Sequence, residues 1–365
     1  MRSVNSDWEA PARMWAAVYR GNSRIVVEEI AVPEVGPGEM LVRVESCGIC
    51  HTDLKKIEHN LLPPPRIFGH ETAGVVVRVG AGVTKFLPGD RVVIFHHIPC
   101  RNCFYCRRGL YAQCETYKKV GVTAGFEPAG GGFSQFVRVM DWIVERGVEK
   151  IPDGVSFDQA SFVEPVNTCL KAILQVQPQA DELVVILGQG PIGLLFTALA
   201  SRYRARVVAI DGIARRRALA LRFGAQSVWD PRDADIAPAI RALSEGRGAD
   251  LVIVAASAPA IAEDAIRYSR PGGRILLFAQ TSNQEKIEFS GADICVGERA
   301  IMGSYSASVD LQKESARLVF SGDLPVEELI SHRLPLDEIV KGFQMALHPG
   351  EESLKIIVQP QRWSQ

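Results

Sequence analysis

The sequence predicts an α/β protein in which a β-rich portion is joined to a doubly wound parallel sheet. Segments of the first third alternate apolar and polar residues and are rich in valine and isoleucine. From about Ser161 onward, short apolar runs without alternation are separated by helical stretches, the pattern of parallel strands covered on both faces. A glycine-rich turn joins one of these runs to the next helix.

Each element has its own warrant. The polar opening, MRSVNSDWEAPARMW, is expected to be a loose tail before the first strand. Residues 14–29 (MWAAVYRGNSRIVVEE) and 40–46 (MLVRVES) read as strands. Residues 74–95 read as two strands separated by Gly and Pro turns, and VPEVGPGE and LLPPPR mark loops. In the second portion, 183–187 is a strand, 192–203 a helix, 206–210 a strand and 215–223 a helix. Residues 251–255 and 274–279 are further buried strands. From about Ser308 the chain returns to helices and one late strand, 354–359.

Composition narrows the function. With 365 residues and 47% hydrophobic ones, the chain can bury a large core over two domains. A net charge of -1 carries no footprint for nucleic acid or anionic lipid. The apolar stretch LVVILGQGPIGLLFTALA has the length of a membrane span, but its three glycines, glutamine and proline favour a buried strand, a tight turn and a buried helix. No secretory pattern opens the sequence, so a cytoplasmic setting is expected.

Four of the eight cysteines, Cys100, Cys103, Cys106 and Cys114, fall in HIPCRNCFYCRRGLYAQC, which begins at His97. Disulfides would need an oxidising compartment. Iron–sulfur clusters also use thiolates, but the familiar bacterial run brings its fourth cysteine sooner and follows it with proline. Here the last gap is seven residues and Glu115 follows. Four free cysteines in a loop are the bland reading. A closed four-thiolate zinc site is the favoured one, and such sites are structural because no position is left for substrate. Arg101, Arg107 and Arg108 would offset some of its negative charge.

A second set of metal-ligating types lies apart. ESCGICHTDLKK offers Cys47 and Cys50, and twenty positions after Cys50 come His70 and Glu71 in GHETAGVV. Catalytic zinc takes about three protein ligands and keeps an open position. Cys50 and His70 suit it, and either Glu71 or Glu164, in VEPVNTC, completes the set. Against this, a histidine in a turn is often a hydrogen-bonded structural residue, and Cys47 reads as a small buried hydrophobe.

LVVILGQGPIG places Gly188, Gly190 and Gly193 in G-x-G-x-x-G after a strand and at the opening of a helix, with Pro191 and Ile192 between. In that context the pattern cradles a dinucleotide pyrophosphate at a helix N-terminus. Asp211, 18 residues beyond Gly193 at the end of the next strand, is placed for the ribose hydroxyls and would repel a 2′-phosphate, so NAD is favoured over NADP. Arg215, Arg216 and Arg217 open the next helix. Residues there are usually solvated, yet they are placed to reach a 2′-phosphate, and Arg216 is taken as a cofactor contact.

GHETAGVVVRVGAGVTKFLPGDRV, the four-cysteine stretch, VEPVNTC and GQGPIG, in this order, resemble the zinc-dependent alcohol dehydrogenases of the medium-chain dehydrogenase/reductase superfamily. The resemblance runs from about Trp15 to Val358. It implies a GroES-like catalytic domain over 1–165 and 308–365, with a structural zinc lobe at 97–115, and a Rossmann NAD-binding domain over 166–307. It implies that Cys50 and His70 hold the catalytic zinc and that Glu71 ligates it or lies beside it. Glu164 stands where ethanol-type members carry a second cysteine. Its EP dipeptide resembles the polyol branch, such as sorbitol dehydrogenase, and threonine dehydrogenase-like relatives are comparable. Thr52 matches the hydroxyl that starts a proton relay, and Asp53 a carboxylate behind the ligands. Lys55 replaces the histidine that ends the relay in ethanol-type members, leaving His51 and His59 as candidates.

The implied activity is reversible hydride transfer between NAD and a secondary alcohol of polyol, cyclitol or hydroxylated amino-acid type. The implied protein carries two zinc ions per chain in a homodimer or homotetramer. Rival classes are a zinc-free reductase, a non-catalytic NAD-binding protein and an iron–sulfur electron carrier.

Overall fold

The computed structural model describes residues 10–96, 98–116, 131–232, 236–279 and 285–364. The opening tail through residue 9 and His97, where the cysteine lobe was expected to begin, lie outside the described residues. The chain divides into two compact units, Met1–Asn167 with Ser308–Gln365, and Thr168–Ala307.

The first unit is β-rich. It contains β1 (Arg13–Tyr19), β2 (Ile25–Ala31), β3 (Met40–Gly48), α1 (His51–Glu58), β4 (Arg66–Ile67), β5 (Glu71–Val79), β6 (Arg91–Ile94), β7 (Phe136–Val139), α2 (Asp141–Arg146), β8 (Val148–Lys150) and α3 (Phe157–Ala160), and then the start of α4 (Val163–Val176). The second unit supplies β9 (Leu183–Leu187), α5 (Pro191–Arg202), β10 (Arg206–Ile210), α6 (Ala214–Arg222), β11 (Ser227–Trp229), α7 (Ile236–Leu243), β12 (Ala249–Val254), α8 (Pro259–Tyr268), β13 (Ser269–Leu277), α9 (Gly291–Cys295) and β14 (Ala300–Gly303). The first unit then resumes with α10 (Gln312–Phe320), β15 (Ile330–Pro335), α11 (Ile339–Leu347) and β16 (Lys355–Gln359).

In the first unit, β2, β1 and β4 form a small antiparallel sheet. The larger sheet runs β15-β16-β3-β5-β6-β8, with β7 also paired to β3. β3 is its centre, and Met40, Leu41 and Val42 are all fully buried there, so strict alternation gives way to burial on both sides. The late region holds two strands where one was expected. β15 (ISHRLP) is an edge strand, mostly half-buried and ending in proline, so it lacks an apolar signature.

The second unit is a six-stranded sheet ordered β11-β10-β9-β12-β13-β14, every pair parallel. Chain order reverses at β9, giving the strand order of the doubly wound nucleotide-binding fold. All five residues of β9 are buried, at about 1.5–3 kcal/mol per large apolar side chain, which holds this strand at the centre. Its register aligns Leu187 with Ile210 of β10 and with Val254 of β12, so the loops after these strands open at one edge. Among the described residues no helix is long and apolar enough to cross a membrane. The stretch with the length of a span is β9, a turn and α5.

Candidate active site

The first cluster forms where β3 and β5 lie antiparallel, with Gly48 opposite Glu71. Cys50 is the residue that caps the start of α1, and its thiol makes no capping bond. On the other side, Gly69 turns the chain at φ +97° into β5. A Cβ there would lie 2.8 Å from the Phe133 amide nitrogen and 2.9 Å from Cys47 Sγ, so the turn demands glycine. His70 and Glu71 follow it and are buried. One ligand atom each from Cys50, His70 and Glu71 lies within 4.8 Å of the others. Thiol, imidazole and carboxylate at this spacing fit zinc.

Asp53, buried on α1, orients the imidazole: His70 Nδ1 lies 3.1 Å from its Oδ1. With Asp53 ionised, Nδ1 donates and Nε2 is left as the ligand atom. Burial opposes charge on Asp53, but the His70 charge and hydrogen bond and Lys56 hold its carboxyl below the usual range. Burial likewise opposes charge on His70, and Asp53 and Cys50 outweigh it, raising its pKa well above the ordinary value.

Glu164 sits in the first turn of α4. The approach to that turn is pinned. Ser156 and Gln159 form a reciprocal cap on α3, and Asp158 is bonded by Ser46 and by Arg333 Nε at 2.6 Å. Glu164 is buried and lies outside the Cys50–His70–Glu71 triplet, although the charges of His70, Glu71, Lys355 and Asp53 act on it. Burial is the largest influence and pushes its pKa up to about 7. Thr52 is half-buried on α1, as is Lys55, whereas His51 and His59 are exposed. Cys47 is fully buried and is not one of the triplet's donors.

Two neighbours escaped the sequence reading. The His96 ring lies 4.9 Å, centroid to centroid, from that of His70. Lys355 of β16 is buried against Glu71, with Nζ 2.5 Å from Oε1 and also paired with Oε2. The only trace of Lys355 in the sequence is a cation heading the apolar run KIIVQ.

Apart from this cluster, Cys100, Cys103, Cys106 and Cys114 also bring their sulfurs within 4.8 Å of one another. All four are free thiols rather than disulfides. The backbone folds around them: the Cys103 amide donates to Cys100 Sγ and the Cys100 amide to Cys114 Sγ, each at 3.3 Å. This is a donor set for a closed zinc site.

In the second unit, the three turn glycines have different tasks. Gly188 has φ +92°, and a Cβ at Gly193 would lie 1.8 Å from the Gly188 carbonyl oxygen, so this glycine lets α5 pack against the turn. Gly190 has nothing within 4 Å of a built Cβ; it caps α5, and Pro191 takes the first helical position. That open side at a helix N-terminus, continued by Ile192, is where a phosphate can approach backbone amides. Asp211 accepts from the Gln189 amide at 2.7 Å and the Ile213 amide at 2.8 Å, which fixes its carboxylate beside the turn. Arg216 Nη1 lies 3.9 Å from Asp211 Oδ2. Arg217 instead bonds the Asp211 carbonyl and Asp230, and Arg215 is exposed.

Known families and proteins match most of the length of this chain. The alcohol dehydrogenase GroES-like domain family matches residues 36–153, and the zinc-binding dehydrogenase family matches residues 191–321. The L-threonine 3-dehydrogenase of Pyrococcus furiosus is 31% identical over 325 residues, covering 87% of this chain and 90% of the relative. The sorbitol dehydrogenase of Bacillus subtilis is 28% identical over 358 residues, covering 96% and 99%. Among solved structures, a zinc-binding dehydrogenase from Sinorhizobium meliloti 1021 bound to NADP superposes with a TM-score of 0.86 at 30% identity, over 96% of this chain and all of that one.

Proposed function

The chain belongs to the zinc-binding alcohol dehydrogenase family, and on that premise we propose that it is an NAD-dependent dehydrogenase of polyols, cyclitols or hydroxylated amino acids. It is an oxidoreductase acting on a small alcohol or ketone with zinc and NAD(P). The observation that carries the finer reading is the Cys50–His70–Glu71 triplet, its ligand atoms within 4.8 Å, with Asp53 holding the imidazole. Glu164, buried and under the charges of His70 and Glu71, favours hydroxyl-rich substrates over ethanol, and sorbitol and threonine dehydrogenases among the relatives support this.

Bound at these residues, zinc supplies a Lewis acid that acidifies an alcohol hydroxyl and NAD supplies the hydride acceptor. Cys50 and His70 hold the metal, and Glu71 and Glu164 are the carboxylates available to complete the set. Thr52 is a hydroxyl that accepts the substrate proton and donates its own onward. Lys55, His51 and His59 are the groups on or beside α1 that take it to solvent. Gly188, Gly190, Pro191, Ile192 and Gly193 receive the pyrophosphate. Asp211 binds the adenosine ribose hydroxyls and disfavours a 2′-phosphate, with Arg216 as the neighbouring contact. Cys100, Cys103, Cys106 and Cys114 hold a second, structural zinc, making two per chain. The catalytic domain comprises 1–165 and 308–365 and the cofactor domain 166–307, in a cytoplasmic homodimer or homotetramer.

The test is Cys50→Ser. The variant is expected to lose NADH production from a panel of polyols, cyclitols, threonine and simple alcohols, and to keep only the zinc of the cysteine lobe. Full turnover with two zinc ions retained would refute the assignment.

A further inference from the structure

We propose that Asp230 is a second specificity-determining acid for the cofactor, one that neutralises the cations able to attract a 2′-phosphate. The inference rests on the NAD reading above and deepens it. Asp211 alone is outnumbered at the ribose corner. Arg216 Nη1 lies 3.9 Å from Asp211 Oδ2. Arg217 Nη1 donates to the Asp211 carbonyl at 2.6 Å, and Arg232 Nη2 donates to the Gly212 carbonyl at 3.0 Å. One carboxylate facing three guanidinium groups would leave a corner suited to phosphate, which arginine recognises well.

The neighbouring strand supplies the balance. β11 runs parallel to β10 with Trp229 opposite Ile210, and the Asp211 amide donates to the Trp229 carbonyl at 3.2 Å. Asp230 therefore emerges beside Asp211, and it is buried. Its Oδ1 accepts from the Arg232 amide at 3.0 Å and from Arg232 Nε at 2.8 Å. Its Oδ2 accepts from Arg232 Nη2 at 2.6 Å and from Arg217 Nη1 at 2.9 Å. One carboxylate thus engages two of the three cations and fixes both against backbone carbonyls of the turn after β10. Hydrogen bonds from Arg232, foremost, hold Asp230 ionised far below neutral pH. A 2′-phosphate carries about two negative charges, and a ribose hydroxyl carries none. The pyrophosphate is common to both cofactors and cancels in their ratio. A change of one charge at Asp230 is therefore felt by NADPH and hardly by NADH.

The alternative is that this cluster only ties β11 to α6. Fluorescence titration of the full-length protein with NADH and with NADPH separates the two. Asp230→Asn keeps the shape and an acceptor oxygen and removes the charge. The ratio of the two dissociation constants is expected to move about tenfold towards NADPH, chiefly through tighter NADPH binding. Adding Arg217→Gln and Arg232→Gln to that variant should abolish the gain, because the uncovered cations are gone. A gain that survives their loss overturns the proposal. So does an Asp230→Asn protein that melts earlier but binds the two nucleotides in the parent's ratio. Should Asp230→Asn not fold, Arg232→Gln decides, since that side chain is 76% exposed. Its loss leaves Asp230 less neutralised, so NADPH should weaken against NADH by about threefold or more, and an unmoved ratio overturns the proposal. Parent protein that binds NADPH more tightly than NADH would refute the NAD reading itself.

Discussion

His70 Nδ1 meets the Asp53 carboxylate at 3.1 Å, so one buried acid sets both the tautomer and the plane of the ring. Such partners behind a ligand typically account for about 10–100-fold in metal affinity. Asp53→Asn is therefore expected to weaken zinc at the Cys50–His70 set by about that factor while leaving the four-cysteine site filled. Competition with a coloured chelator measures it, and an unchanged affinity would show that the pair is not an orienting one.

Gly193 and Gly190 separate packing from ligand access. A methyl at Gly193 collides with the Gly188 carbonyl, so Gly193→Ala is expected to destabilise the protein by about 1–3 kcal/mol in thermal or urea unfolding without cofactor. Gly190→Ala meets nothing within 4 Å, so it should leave the same melt unchanged and weaken NADH binding in a fluorescence titration. Equal effects of the two on unfolding would contradict the division.

Asp211 accepts from two backbone amides, with Arg216 near Oδ2, the oxygen bonded by Gln189. Asp211→Ala removes the negative charge and leaves the arginines. The ratio of kcat/KM for NAD over NADP should fall by about tenfold or more, as loss of one charge contact of about 1.4 kcal/mol gives. A ratio that does not move would mean that the carboxylate does not discriminate.

Asp230 gives a pH dependence. Hydrogen bonds from Arg232, foremost, and the charges of Arg232 and Arg217 hold its carboxyl well below the ordinary range. An acid with a lowered folded pKa stabilises above its unfolded value, near pH 4, and loses that contribution as pH falls towards the folded value. Asp230→Asn should thus melt earlier than the parent at neutral pH, with the gap narrowing below about pH 4. A gap that widens on acidification has the wrong sign.

Cys106 is the buried member of the lobe's first three cysteines. Cys106→Ser is expected to reduce zinc content from about two to about one per chain and to lower the unfolding midpoint. Metal analysis that still finds both ions would show that the lobe sulfurs hold no zinc.

The strands 183–187 and 206–210 were legible to the residue because both faces of a central parallel strand are covered and leave an uninterrupted apolar run. β11 (SVW) and β14 (AIMG) left no such trace; both are short edge strands and partly exposed. The same limit applies at the site. Cysteine, histidine and glutamate draw notice by type alone. Lys355 matters only through a partner 284 positions earlier in the chain, and no local pattern encodes that pairing.

That separation has a consequence for biosynthesis. The sheet that carries Cys50 and Glu71 is completed when β16 lies along β3, with Ile357 opposite Gly48. A nascent chain leaving the ribosome exposes its candidate zinc ligands hundreds of residues before the lysine that pairs with Glu71. The second unit, continuous from Thr168 to Ala307, has all its strands in hand earlier. Zinc captured during translation would meet Glu71 without its lysine, and the last strand to emerge completes that buried ion pair beside the ligands.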